Sequence, residues 1–173
     1  NNGGDGVFIG SFLQKKGYQV ELLDVLPKKK KTRLLEKALQ DSDLQNSYSI
    51  KEIEIELHKI TIIDAVFGIG GRHILNDDLK KLMRFVNGAA VKIAIDIPTG
   101  VCSDSEKKDN DAFAADYTIT FIGYKIGQIL GKSKEAIDSV ELKDLGLRIS
   151  NTMESKVNSF NFSAVSYTHL RAH

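Results

Sequence analysis

Residues 91–100 read VKIAIDIPTG. Val91, Ile93, Ile95 and Ile97 are β-branched, Ala94 is small, and Pro98-Thr99-Gly100 stops the run. That pattern suits a strand buried on both faces better than one face of a helix. An acidic residue, Asp96, stands near its carboxyl end. Strands buried on both faces belong to parallel sheets covered by helices, so the flanking sequence should alternate between strands and helices.

Upstream, Ile60–Val66 (ITIIDAV) is a second buried strand broken by Phe67-Gly68-Ile69-Gly70-Gly71. Leu79, Leu82, Met83 and Val86 then form a helical stripe running to Asn87-Gly88, a carboxyl-terminal helix signal. Earlier still, Ile53, Ile55 and Leu57 alternate with Glu52, Glu54 and Glu56, which predicts a half-exposed edge strand. The lysine run Lys28–Lys31 leads into an amphipathic helix from Thr32 through Leu39, ending near Asp43. Tyr18–Leu26 (YQVELLDVL), closed by Pro27, predicts a buried strand, and Val7, Phe8, Phe12 and Leu13 a short first helix ending at Lys15-Lys16-Gly17. Downstream, residues 101–113 read as polar loop, Tyr117–Ile122 (YTITFI) as a strand, and Ser139–Leu142 as a last short strand. The expected fold is α/β: a Rossmann-like layered α/β/α arrangement with a mostly parallel sheet, whose ligands sit beyond the carboxyl ends of the strands.

The ends carry separate expectations. The chain begins with Asn1-Asn2-Gly3-Gly4-Asp5-Gly6, a glycine-rich turn that ordinarily follows a strand, so residues 1–150 read as a domain lacking its first strand. Residues 151–164 read as an Asn/Ser-rich linker, and Val165–His173 (VSYTHLRAH) resembles the translation of a sequencing-library adapter, a non-native tail.

Composition excludes several function classes. With 173 residues and 42% hydrophobic content the chain suits one globular domain. Its 24 basic and 23 acidic residues leave a formal charge of +1, which supplies no global attraction for nucleic acid or an anionic membrane. The single Cys102 and the scattered histidines have no zinc-ligand spacing. No apolar run approaches the roughly 18 residues of a membrane span, and the polar start is unlike a signal peptide, so the expected compartment is the cytoplasm.

Three acidic or glycine-rich segments share one topological position, the carboxyl side of a strand: residues 1–6, Asp64 with 67–71, and Asp96 with 98–100. Glycines admit backbone N–H groups close to a phosphate, so two such loops suit a pyrophosphate; the alternative is plain turn glycines. A carboxylate buried beside a cleft is costly without a ligand, cation or donor. Asp64 and Asp96, with Asn2 and Thr99, offer an oxygen-only set suited to K⁺, Na⁺ or Mg²⁺ rather than zinc, unless either Asp simply caps a turn. Cys102 reads as a packing residue, His58 as surface, and Lys28–Lys31 as a solvated charge run.

NNGGDG, DAVFGIGGR, AIDIPTG, ADYTITFIGYKIG and VELKDLGL stand in the order and spacing of the NAD(P)H-hydrate epimerase family, the YjeF amino-terminal domain, which residues 1 to about 147 resemble. The resemblance implies an isomerase that interconverts R and S forms of hydrated NADH and NADPH. It implies substrate contacts from Asn1, Asn2, Gly3, Gly4, Asp5, Gly68, Ile69, Gly70, Gly71, Arg72, His73, Ile74 and Asp96. It also implies a K⁺ site from Asn2, Asp64 and Thr99, the last a Ser in most of the family. Lys125 falls on a family position without a role attached. Asp96 is the candidate catalyst: one carboxyl can protonate the departing C6 oxygen and deprotonate the entering water, provided burial raises its pKa enough to keep it protonated at neutral pH. The resemblance further implies a homodimer and a dehydratase fused in a longer protein. Two rival readings are a non-catalytic YjeF-like dimerisation or RNA-binding module and a Rossmann-like nucleotide hydrolase.

Overall fold

The computed structural model describes residues 3–26, 31–42, 44, 46–47, 56–70 and 73–146. Helix α1 (Gly3–Lys15) comes first, then strand β1 (Leu22–Leu23), helix α2 (Arg33–Gln40) and strand β2 (Asn46–Ser47). A 3₁₀ turn (Leu57–Lys59) leads to β3 (Thr61–Asp64), α3 (Asp77–Val86) and β4 (Val91–Ile95). The chain continues through β5 (Ala115–Phe121), α4 (Ile126–Ile129), a second 3₁₀ segment (Gly131–Ala136) and β6 (Ile137–Lys143). Among the described residues every strand pairing is parallel: β3-β4-β5-β6 form one sheet and β1-β2 another. This is the expected α/β, Rossmann-like arrangement.

The elements form for local reasons. α3 starts where the Asn76 side chain accepts the Leu79 N–H at 2.9 Å, with Asp77 and Asp78 in its first turn against the positive end of the helix. Its stripe Leu79, Met83 and Val86 packs on Ala94 of β4 and on Phe113 and Ala115, the main core. A second cluster joins Ile97, Val101 and Ala112 to Ala136 and Ile137, and a third joins Val7 of α1, Ala38 of α2 and Leu44.

The structure departs from the sequence expectations in particular places. Of Tyr18–Leu26 only Leu22–Leu23 pair as a strand, and Tyr18 is 64% exposed. The reason lies across the molecule: β1 and β3 both line a cleft of about 880 Å³, so neither has a strand on that side among the described residues. The cleft is walled by apolar side chains including Val7, Leu22, Ile62 and Met83, and it is where the sheet is interrupted. Leu57 lies in the 3₁₀ turn rather than a strand, and residues 52–55 of that expected strand lie outside the described residues. α2 stops at Gln40, and the last strand is longer than expected, spanning Ile137–Lys143. Residues 101–113 are not merely polar loop, since Val101, Ala112 and Phe113 are buried. The linker and tail assigned to residues 151–173 lie outside the described residues.

Candidate active site

The carboxyl ends of β3 and β4 meet the start of α1. The glycine-rich stretch is not a loop from Gly3 onward: it is the first turn of α1, and a Cβ on Gly6 would come within 2.9 Å of the Ala65 Cβ, so glycine there lets the helix abut the end of β3. Asp5 stands in that first turn. Partial desolvation raises its pKa above the ordinary value, and the negative charge of Asp96 adds to the shift.

Asp64 is the last residue of β3 and is buried. Its Oδ2 accepts the Thr99 N–H at 2.7 Å, its Oδ1 accepts the Thr99 hydroxyl at 2.8 Å, and Oδ1 also accepts the Val66 N–H at 3.2 Å. Burial nevertheless outweighs these bonds and raises the Asp64 pKa. Thr99 itself is fully buried, between Pro98 and Gly100 in a turn where Gly100 has φ of 91° and a Cβ would meet the Ala112 Cα at 2.9 Å. The turn therefore requires glycine.

Asp96 follows β4 directly and takes a left-handed backbone, φ 71°, a conformation uncommon outside glycine. Its surroundings hold it there. The Asp96 N–H donates to the Ile119 carbonyl at 2.7 Å, and Gln128 Nε2 donates to the Asp96 carbonyl at 2.6 Å. The side chain is equally fixed: Oδ2 accepts the Ile69 N–H at 3.2 Å, and Oδ1 accepts the Lys125 ammonium at 2.5 Å. Backbone strain of this kind persists where the surrounding contacts over-determine it, as they do at functional sites.

Lys125 is the residue that sequence reasoning left without a role. It is 8% exposed, and its Nζ also donates to Thr120 Oγ1 at 2.7 Å and to the Phe121 carbonyl at 3.1 Å. The residue is placed by α4, whose Gln128 Oε1 accepts the Lys125 N–H at 2.8 Å. α4 in turn lies against residues 102–105: a Cβ on Gly127 would overlap the Cys102 carbonyl oxygen. The residue-based reading asked for a buried Asp96, and Asp96 is buried; the structure adds the Lys125 ammonium beside its carboxyl.

Of the other expected contacts, Gly3, Gly4 and Asp5 lie in the first turn of α1, with Gly4 buried and Asp5 exposed. Gly68 is buried, Ile69 and Ile74 are exposed, Gly70 has φ of 82°, and His73 is half-buried. Gly68 and Ile69 come to Asp96 through the Ile69 N–H. Asn1, Asn2, Gly71 and Arg72 lie outside the described residues. Among the described residues no cluster of three or more His, Cys, Asp or Glu side chains is arranged to hold a metal ion, and no helix is long and apolar enough to cross a membrane.

Residues 1–127 match the family described as YjeF-related protein N-terminus. The chain belongs to this family. The YjeF-related domain is 33% identical over 168 residues to the bifunctional NAD(P)H-hydrate repair enzyme Nnr of Dictyoglomus turgidum, covering 91% of this chain and 32% of that protein. It is 36% identical over 149 residues to the Nnr of Archaeoglobus fulgidus, covering 85% of this chain and 30% of the relative. To the NAD(P)H-hydrate epimerase of Lentilactobacillus buchneri it is 29% identical over 160 residues, covering 90% of this chain and 73% of the relative. The chain thus spans about a third of the length of the two bifunctional relatives.

Proposed function

We propose that this YjeF-related domain is an epimerase that interconverts the R and S forms of hydrated NADH and NADPH. The observation that carries the reading is Asp96: a buried carboxyl in a left-handed backbone pose, next to the Ile69 N–H and the start of α1. The names of the relatives support epimerisation over the scaffold and hydrolase readings. Epimerisation at C6 needs one group that gives and takes a proton. Asp96 passes a proton to the C6 oxygen; the C6–O bond breaks as the ring-nitrogen lone pair forms C=N⁺, and water leaves. Water re-enters either face of the planar iminium, its oxygen bonding C6 and its proton returning to Asp96, so atoms and charge balance.

K⁺ belongs to this reading. Asp64 and Thr99 fit it: a buried carboxylate whose partners among the described residues are the Thr99 N–H and hydroxyl and the Val66 N–H is, with that hydroxyl, an oxygen-only donor set suited to a hard ion. Asp64 and Thr99 would hold the ion, with Asn2 as the third donor, and when bound it supplies positive charge that neutralises Asp64 and fixes the Pro98–Gly100 turn. Asn1 to Asp5 and Gly68 to Ile74 would contact the substrate. A cytoplasmic location accords with a substrate derived from soluble nicotinamide cofactors, and a homodimer and a fused dehydratase consuming the S form complete the proposal.

Chiral chromatography of product formed from purified R-hydrate tests it. Wild type should equilibrate the two epimers, and Asp96→Asn should lower the rate by about 10²–10⁴-fold, the usual worth of a positioned acid/base group. An unaltered rate in the Asn variant removes Asp96 as the catalyst.

A further inference from the structure

A buried lysine at the end of the same sheet remains to be explained. Lys125 is 8% exposed, and every hydrogen bond its Nζ makes among the described residues is directed at the Asp96 end of the site: Asp96 Oδ1 at 2.5 Å, Thr120 Oγ1 at 2.7 Å and the Phe121 carbonyl at 3.1 Å. Removing an ammonium from water is costly, and a lysine is rarely buried unless paired. Three acceptors on a purely structural lysine would be enough to satisfy it. Here, however, one of the three is the carboxyl to which the reaction assigns the proton, and Asp96 is itself locked: its carboxyl by the Ile69 N–H, its main-chain carbonyl by Gln128 Nε2, and its backbone in the left-handed region.

We propose that Lys125 and Asp96 act as one proton-sharing unit, in which Lys125 is a positioning residue that holds the proton while Asp96 is a carboxylate and returns it across the Nζ–Oδ1 contact. The inference rests on the epimerase reading only for its kinetic consequence. The steps balance. An Nζ–H proton moves to Asp96 Oδ1, leaving a neutral amine and a carboxylic acid; Asp96 passes that proton to the departing C6 oxygen, which leaves as water. When water adds to the iminium, its proton goes to Asp96 and then back to Lys125 Nζ. No co-reactant is consumed. The proton that Asp96 delivers is thus stored on the neighbouring nitrogen.

The charged groups around the pair come from each element packed against it. Asp5, at the start of α1, is close enough for the charge of Asp96 to bear on its own ionisation and opposes a second negative charge there. From β5 the pair meets Thr120 and the Phe121 carbonyl, and from α4 it meets Gln128, none of which titrates. Lys125 is thus the cation that compensates Asp96 among the described residues.

The test follows the Asp96 carboxyl carbon and the Lys125 Nζ by NMR as pH is varied, in wild type, Lys125→Gln and Lys125→Arg, with kcat and KM measured on the same samples. Lys125→Gln removes the charge, so the Asp96 midpoint should rise by about one pH unit or more, a tenfold change in proton affinity. Lys125→Arg keeps the charge and should leave that midpoint near its wild-type value. Because arginine does not release its proton, it should not rescue turnover, and both variants should lose about 100-fold in kcat with KM within about threefold. An unmoved Asp96 midpoint in Lys125→Gln, or an Arg variant with wild-type kcat, overturns the proposal. If a variant unfolds, the wild-type titration decides: Asp96 and Lys125 signals should respond to one another's protonation, and independent titration would refute sharing. Coupled titration in a chain that fails to equilibrate the hydrates would uphold the pair and refute the epimerase reading instead.

Discussion

Replacing Asp64 by Ala separates two roles of the β3 end. The change removes the acceptor for the Thr99 N–H at 2.7 Å and for the Thr99 hydroxyl at 2.8 Å, and both donors belong to a fully buried residue. Each buried donor left without a partner costs about 1–3 kcal/mol, so the two give about 2–6 kcal/mol. Part is offset because burial already disfavours the ionised Asp64, as its raised pKa indicates. The expected net loss is therefore near the lower end, about 2 kcal/mol, against a total of roughly 5–15 kcal/mol for a domain. The same reasoning sets the sign of the wild-type pH dependence. The folded-state pKa of Asp64 lies above its unfolded value, so the cost of the ionised group is fully present above the folded value and vanishes as pH falls below roughly 3.9. K⁺ should relieve that cost at neutral pH, by about 2.7 kcal/mol at a hundredfold excess over its dissociation constant. Urea melts at pH 7 in potassium chloride and in choline chloride of equal ionic strength read both effects. A K⁺ response of equal size in wild type and Asp64→Ala, or a loss below about 0.5 kcal/mol, would refute the account, since it would mean that the Thr99 donors find other partners.

Gly127→Ala should lower the melting temperature by several degrees, because the new Cβ overlaps the Cys102 carbonyl and overpacking costs about 1–3 kcal/mol; it should also cut turnover by moving Lys125 and Gln128 away from Asp96. A wild-type melt with normal turnover would show that α4 shifts freely. Burial opposes ionisation of Asp109, but the Asp111 and Leu75 N–H groups and the Lys80 ammonium outweigh it and hold its pKa below the ordinary value. That contribution is present above the unfolded value and is lost as pH falls through the folded one, so Asp109→Asn should destabilise at pH 7 and match wild type near pH 2, as measured by thermal melts. A gap that persists at the acid end would assign the effect to something other than charge. Finally, an apolar strand joined ahead of Asn1 should enter the cleft between β1 and β3 and raise the melting temperature, with new slow-exchanging amides at Leu22–Leu23 and Thr61–Asp64; unchanged exchange there would show that the cleft is not a strand slot.

What the sequence revealed, and what it hid, follows the range of the interactions involved. Ile60–Val66, Val91–Ile97 and Tyr117–Ile122 were legible as strands because burial on both faces leaves a local trace, β-branched residues between glycine or proline stops. Asp64 and Asp96 were legible as site candidates for the same reason, since an acidic residue at the end of such a run has few structural uses. The run Tyr18–Leu26 carries that trace as well, yet only Leu22–Leu23 pair, because a strand's length is decided by the strand beside it and here that side is a cleft. No window of sequence contains its partner. Lys125 was hidden more deeply. A lysine between Tyr124 and Ile126 carries no local sign of its surroundings, and it pairs with an acidic residue 29 positions earlier whose left-handed backbone is held where Ile119, Ile69 and Gln128 converge on it. The one local sign is Gly127, whose close approach to Cys102 lets α4 begin where Lys125 Nζ reaches the end of the sheet. A single glycine cannot announce a buried ion-pair partner, and so the geometry of the site becomes readable only where three separately legible strand ends are brought together with one residue that is not.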